Sequence, residues 1–205
     1  MRKFLLICVL LFPSILFAET FKIAVLGDSL SAGYGLQEGE SWVTLLQKKL
    51  NKQEYNAEVV NASISGDTSR NGLNRLESVL ATAPDIIIVE LGGNDGLRGL
   101  SIKEMRQNLK AIIEKSQQID AKVLLLGMQL PANFGPVYTK MFHQVYFDLA
   151  SELNVALVPF FMDGVALEKT LMQEDGIHPN AHAQPKLLDN VWPQLEQLLK
   201  EEGMS

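Results

Sequence analysis

Cysteine is almost missing from this chain. The single copy among 205 residues is Cys8, inside an apolar N-terminal run. Beyond that run there can be no disulfide, no thiol nucleophile and no cysteine-ligated metal. Long hydrophobic stretches are scarce as well. Phe4–Phe17 is the longest, is interrupted by Pro13 and Ser14, and falls short of the ~20 apolar residues a membrane span needs. Arg2 and Lys3 precede it, and small Ala18 follows it ahead of polar Glu19 and Thr20. That order predicts a secretory signal peptide over 1–18, cut after Ala18, and a periplasmic or secreted mature chain with no stable membrane insertion. An uncleaved anchor is the alternative. Basic charge is in deficit too. Lys and Arg number 18 against 24 Asp and Glu, a net charge of −6 that becomes −8 once Arg2 and Lys3 are gone. Such a chain has no electrostatic reason to bind nucleic acid or an anionic membrane. Repeats, linkers and low-complexity tracts are absent, so 19–205 reads as one domain, large enough to bury a core without staples.

What the chain does have is alternation. Short runs rich in Val, Ile and Leu lie at Lys22–Leu26, Glu58–Asn61, Asp85–Leu91, Lys122–Met128 and Val155–Pro159. Apolar on both sides rather than alternating, they predict buried parallel strands. Between them the apolar residues recur at helical spacing, over Trp42–Leu50, Leu73–Leu80, Lys103–Ser116 and Tyr138–Leu153. A last helix, about Ala183–Leu199, contains Pro185 and Pro193 and is expected to be short, broken or kinked. Five strands alternating with helices predict an α/β fold, a parallel sheet with helices on both faces.

Polar, glycine-bearing clusters follow the strands: Gly27-Asp28-Ser29-Leu30-Ser31, Ala62-Ser63-Ile64-Ser65-Gly66-Asp67, Gly92-Gly93-Asn94-Asp95, Gln129-Leu130-Pro131-Ala132-Asn133 and Asp175-Gly176-Ile177-His178-Pro179. In such sheets ligands collect at the carboxyl ends of the strands, where these clusters would meet. Histidine is rare. His143 falls inside an amphipathic helix, and His182 is expected to face solvent. His178 follows Asp175 by three residues, a spacing that lets a carboxylate hold the imidazole tautomer; it equally suits a helix N-terminus capped by Asp175 or Asn180. Ser29, just past the first strand, sits where a nucleophile on a strand-to-helix turn would sit, or where a phosphate-binding or capping turn would begin. The Gly-x-Ser-x-Gly elbow of the α/β-hydrolases is absent.

Taken together, Gly27-Asp28-Ser29-Leu30, Gly66, Gly92-Gly93-Asn94-Asp95 and Asp175-Gly176-Ile177-His178-Pro179 resemble the four sequence blocks of the GDSL/SGNH hydrolase family, in order and across most of the chain after residue 18. Longer segments, such as Val59–Ser69 and Val89–Gly99, are similar to those of its bacterial thioesterase–lysophospholipases. The resemblance implies a flavodoxin-like three-layer α/β/α sandwich with a five-stranded parallel sheet. It implies a serine hydrolase of acyl esters and thioesters that needs no cofactor and no metal. Ser29 would be the nucleophile, His178 the general base and then acid, and Asp175 its orienter. The N–H groups of Ser29 and Gly66 and the Asn94 amide would bind the oxyanion.

Three rivals are open to the same residues. A metal held by Asp175, His178 and His182 would lack further clustered ligands. A lipid carrier with the same cleft would not need Ser29, His178 and Asp175 together. A phosphate-binding module would place acidic Asp28 in its own anion turn. The stretch Gly96–Ser101 reads either as a lid hinged at Gly96 and Gly99, with Leu97 and Leu100 covering an acyl chain beside Leu130, or as a connection into a helix capped by Ser101 and Glu104.

Overall fold

The computed structural model describes residues 20–204, so the expected signal segment lies outside the described residues. Five strands form one sheet: β1 (Phe21–Gly27), β2 (Ala57–Asn61), β3 (Ile86–Glu90), β4 (Lys122–Leu126) and β5 (Ala156–Val158). Every neighbouring pair is parallel, in the order β2-β1-β3-β4-β5. This is the flavodoxin-like order, which reverses direction between β1 and β3. The central strand β3 is buried along its whole length, because helices cover both faces of the sheet.

The helices are α1 (Ser29–Ala32), α2 (Trp42–Lys52), α3 (Ser69–Leu80), α4 (Gly93–Leu97), α5 (Ile102–Gln117), α6 (Pro136–Leu153) and α7 (Gln184–Glu201). Helix α2 packs beside α7, and α3, α5 and α6 pack in a row, giving the two outer layers. Their starts are fixed by hydroxyl caps: Ser41 accepts the Thr44 N–H, Thr68 that of Asn71, and Ser101 that of Glu104. Among the described residues no helix is long and apolar enough to cross a membrane.

Two expectations need correction. Helix α7 is neither short nor broken but runs unbroken for 18 residues. Pro185 falls in its first turn, where a missing N–H costs nothing, and the loss of one bond at Pro193 is offset by a buried stripe including Leu187, Val191, Leu195 and Leu199. The 96–101 stretch is not a loop between two hinges. Gly96 and Leu97 belong to α4, and Gly99 N–H to Gly96 O and Leu100 N–H to Asp95 O close its end. Leu97 packs partly buried on the core, whereas Leu100 is 44% exposed. Ser101 caps α5 as anticipated, but the Glu104 carboxylate turns to Arg70 instead of completing a capping box.

Candidate active site

The sharp turn after β1 is built by Asp28. Its Oδ1 accepts the Leu30 N–H, so α1 starts at Ser29 with its N-terminus at the carboxyl edge of the sheet. This is the switch point between β1 and β3. His178 reaches the same edge from the chain after β5. Its Nε2 lies 2.8 Å from Ser29 Oγ and its Nδ1 lies 2.6 Å from Asp175 Oδ2. The other Asp175 oxygen accepts the backbone N–H groups of Ile177 and His178. Asp175 is therefore both turn-maker and imidazole partner, whereas the helix cap that the same stretch suggested belongs to Asn180, whose Oδ1 accepts the His182 N–H ahead of the short turn Ala181–Ala183. The bonds to Asp175, the His178 N–H first, hold its carboxyl down to about 2, so it is an anion at any ordinary pH. With Asp175 accepting at Nδ1–H, the free Nε2 lone pair faces the Ser29 hydroxyl. Tyr34 packs its ring 4.5 Å from the imidazole, and the Gln173 amide clamps this corner by donating to the Tyr34 and Pro179 carbonyls.

Two other loops converge on Ser29. Gly66 lies in the left-handed region at φ 84, a conformation that any side chain would strain. Its N–H and that of Ser29 donate to no protein acceptor among the described residues. Gly92, at φ 107, opens α4, and a Cβ there would stand 2.3 Å from the Tyr146 hydroxyl, which donates to Leu91 O. Asn94 follows. Its Nδ2 donates to Asp28 Oδ2 at 2.9 Å and to Asp67 O at 3.0 Å, while Arg98 reaches both its Oδ1 and the Gly66 carbonyl. Arg75 of α3 ties the base together, pairing with Asp67 at 2.6 Å and donating to the Ala62 and Gly27 carbonyls.

The structure thus brings Ser29, Gly66, Asn94, Asp175 and His178 to one edge. Leu130 is buried, with its methyls and the Phe142 ring pressed against Gly96. His143 bonds to none of these residues; it is half-buried, with Nδ1 on the Met128 carbonyl. His182 is exposed, and among the described residues no three or more His, Cys, Asp or Glu converge to hold a metal ion. The chemistry on offer is a hydroxyl whose proton can pass to a carboxylate-backed imidazole beside unoccupied N–H donors.

Sequence reasoning missed the floor. Glu90 ends β3 with no exposed surface, and Asp28 is 2% exposed. Burial lifts the Asp28 carboxyl to about 6, against the pull of Leu30 N–H and Asn94, and raises Glu90 well above the usual carboxylate range. The signal was present: an acid closing the run Ile86–Val89, in a strand that should be apolar on both faces. Asp95 was likewise overlooked; it is buried and ties α4 to α3 by accepting the Ser69 N–H and hydroxyl.

Comparison with known proteins agrees with this arrangement. Residues 25–184 match the model of the GDSL-like Lipase/Acylhydrolase family. The esterase TesA of Pseudomonas aeruginosa is 52% identical over 86% of this chain and 89% of its own. The thioesterase 1/protease 1/lysophospholipase L1 of Escherichia coli K12 is 44% identical over 88% and 86%. The psychrotrophic esterase EstA from Pseudoalteromonas sp., solved inhibited by monoethylphosphonate, superposes with a TM-score of 0.81 at 42% identity, covering 87% of this chain and 98% of that one. A parallel sheet in flavodoxin order, a site at its switch point and matches of this extent have one common explanation: the chain belongs to the GDSL-like lipase/acylhydrolase family.

Proposed function

We propose that the chain is an exported serine hydrolase that cleaves acyl esters and thioesters through an acyl-enzyme intermediate. The observation that carries this reading is the continuous line Ser29 Oγ, His178 Nε2, His178 Nδ1, Asp175 Oδ2, at 2.8 and 2.6 Å. His178 takes the Ser29 proton as Oγ attacks the acyl carbon, and Asp175 stabilises the imidazolium so formed. The charge that develops on the carbonyl oxygen is met by the Ser29 and Gly66 N–H groups and the Asn94 amide. For this, the Asn94 hydrogen resting on Asp67 O turns toward the oxyanion while the other stays on Asp28. His178 then protonates the departing alkoxide or thiolate, leaving an acyl ester on Ser29. A water, deprotonated by His178, releases the carboxylic acid. No step calls for a metal or cofactor.

The acyl chain would lie along Leu100, with Leu97 and Leu130 beneath it. Export rests on the signal-like order of residues 1–18 and predicts Glu19 as the mature N-terminus, in the periplasm of a two-membrane cell. Acyl-CoA is a cytosolic metabolite, so an exported enzyme meets lysophospholipids and other lipid esters instead, and thioester cleavage is a capacity of the same machinery to be read in vitro. A panel of p-nitrophenyl esters, acyl-CoAs and lysophospholipids of graded chain length tests the reading, together with N-terminal sequencing. A serine-directed organophosphonate should label Ser29, and a purified enzyme hydrolysing none of the panel would refute it.

A further inference from the structure

The mechanism leaves one fully buried carboxyl group unused. Glu90 closes β3 directly below the turn that carries Ser29, and makes no ion pair among the described residues. Its Oε2 receives two hydrogens, from the Asp28 N–H at 3.2 Å and from the Ser31 hydroxyl at 2.8 Å. The Ser31 proton is committed in that direction because Ser31 Oγ accepts the Trp42 indole N–H at 3.3 Å. The other oxygen, Oε1, is buried and receives nothing. As an anion Glu90 would thus bury an oxygen that no protein donor reaches and no counter-charge offsets, the state that burial penalises most. As an acid its inventory closes: Oε2 is the carbonyl oxygen with two donors, and Oε1 carries the proton. The Asp28 carboxyl is the neighbour of Glu90 in the floor: the Asp28 N–H is bonded to Glu90 Oε2, and each carboxyl acts on the other's titration.

We propose that Glu90 is a positioning residue that acts as a neutral acid: it keeps the one proton of the buried Glu90–Asp28 pair, so that Asp28 stays an anion and orients the Asn94 amide. Asp28 then accepts from Leu30 N–H and from Asn94 Nδ2, a set that a carboxylate holds better than a carboxylic acid. Both carboxyls are driven upward chiefly by burial, Asp28 to about 6 and Glu90 well above the ordinary carboxylate range. Glu90, with no exposed surface and one oxygen without a partner, is the one that keeps the proton, and the neighbouring groups do not reverse this. His178, above, favours the Asp28 anion; Tyr146 of α6 is bound to Leu91 O, Asp95 of α4 to Ser69, and Arg75 of α3 to Asp67. When Asn94 swings one hydrogen from Asp67 O to the oxyanion, the bond to Asp28 is the one that fixes its plane. The charge on Asp28, held by the proton on Glu90, therefore sets how squarely the amide faces the transition state.

The positioning half of this proposal rests on the reading of Asn94 as an oxyanion donor; the protonation half does not. Infrared difference spectra of the purified wild-type enzyme against Glu90→Gln, at neutral pH, should contain the carbonyl stretch of a protonated carboxylic acid that vanishes in the variant. Its absence overturns the proposal. In kinetics on p-nitrophenyl butyrate, Glu90→Leu removes both the acceptor and the donor and should lower kcat by roughly tenfold to a hundredfold with little change in KM, the cost of a mis-set donor. Glu90→Gln, neutral and of the same shape, should recover most of that loss. Equal losses in the two variants would mean that a negative charge at Glu90 is what matters, and would sink the idea. Should Glu90→Leu not fold, the band and the Glu90→Gln kcat still decide: a hundredfold loss in folded Glu90→Gln overturns it. A clear Glu90 band combined with full activity in Asn94→Ala would instead fault the oxyanion reading, and the positioning role with it.

Discussion

Leu130→Ala and Leu100→Ala should separate support from substrate contact. Leu130 is 9% exposed and presses on Gly96 of the helix that carries Asn94, whereas Leu100 is 44% exposed. Either change removes three carbons, worth about 2.4 kcal/mol at roughly 0.8 kcal/mol each. At Leu130 nearly all of that is already spent on packing, and the cavity left behind raises the cost to about 3 kcal/mol. For a domain of this size that lowers Tm by roughly 6–12 °C. Its exposed fraction leaves only about 0.2 kcal/mol for a ligand to cover, so the loss of kcat/KM should be the same for acetyl, octanoyl and palmitoyl esters. At Leu100 the sums reverse. Truncation gives up about 1.3 kcal/mol of packing and should lower Tm by only about 3–5 °C, while the exposed part offers a long chain about 1 kcal/mol, or roughly fivefold in kcat/KM for palmitoyl over acetyl. Thermal melts and kcat/KM on p-nitrophenyl esters of the three lengths measure both. A Leu130→Ala enzyme that melts with the wild type yet loses only its long-chain activity would refute this division, as would a Leu100→Ala loss that ignores chain length.

Ser29→Ala and His178→Ala should each lower kcat by about 10⁴-fold or more, and the double variant hardly further, since the two act as a unit; additive losses would contradict the shared proton. Asn94→Ala should cost roughly 10²–10³-fold in kcat with a smaller change in KM, and a pure KM effect would demote Asn94 to a turn residue. Asp175→Asn should reduce kcat by about 10⁴-fold. It should also remove a stabilising contribution that the wild type keeps above pH 3.8 and loses as pH falls toward about 2, because the folded-state pKa is depressed; acid melts of the two proteins coinciding would contradict that. EDTA should leave the rate unchanged, and inactivation reversed by Zn²⁺ would revive a metal at Asp175, His178 and His182.

The strands were legible because both faces of the sheet are covered: Ile86–Val89 and Val123–Leu126 carry apolar residues at every position, a pattern few other structures demand. Helix limits were less so. The apolar period of α3 begins at Leu73, but Thr68 caps it and sets the start at Ser69. Proline misled at α7 because its penalty is local, while the buried face that outweighs it is contributed by β4, β5 and α2. In the site, the residues at loop tips could be read from their chemistry and order. The supports could not: Glu90, Asp95 and Arg75 act through partners 26 residues or more away in sequence or through the carbonyls of other strands. The packing of Leu97 was hidden for the same reason, as its partial cover comes from across the fold rather than from its sequence neighbours.

The 149 residues that separate Ser29 from His178 carry a consequence for the life of the molecule. A chain emerging from its N-terminus presents the serine turn long before the segment that activates it. If the proposed triad carries the chemistry, Ser29 is an ordinary alcohol with no base until residues 175–178 have arrived and docked past β5. An unfolded chain would then be inert toward every ester it meets. Hydrolytic power would switch on only with that docking, so the order of synthesis would itself hold the nucleophile in check.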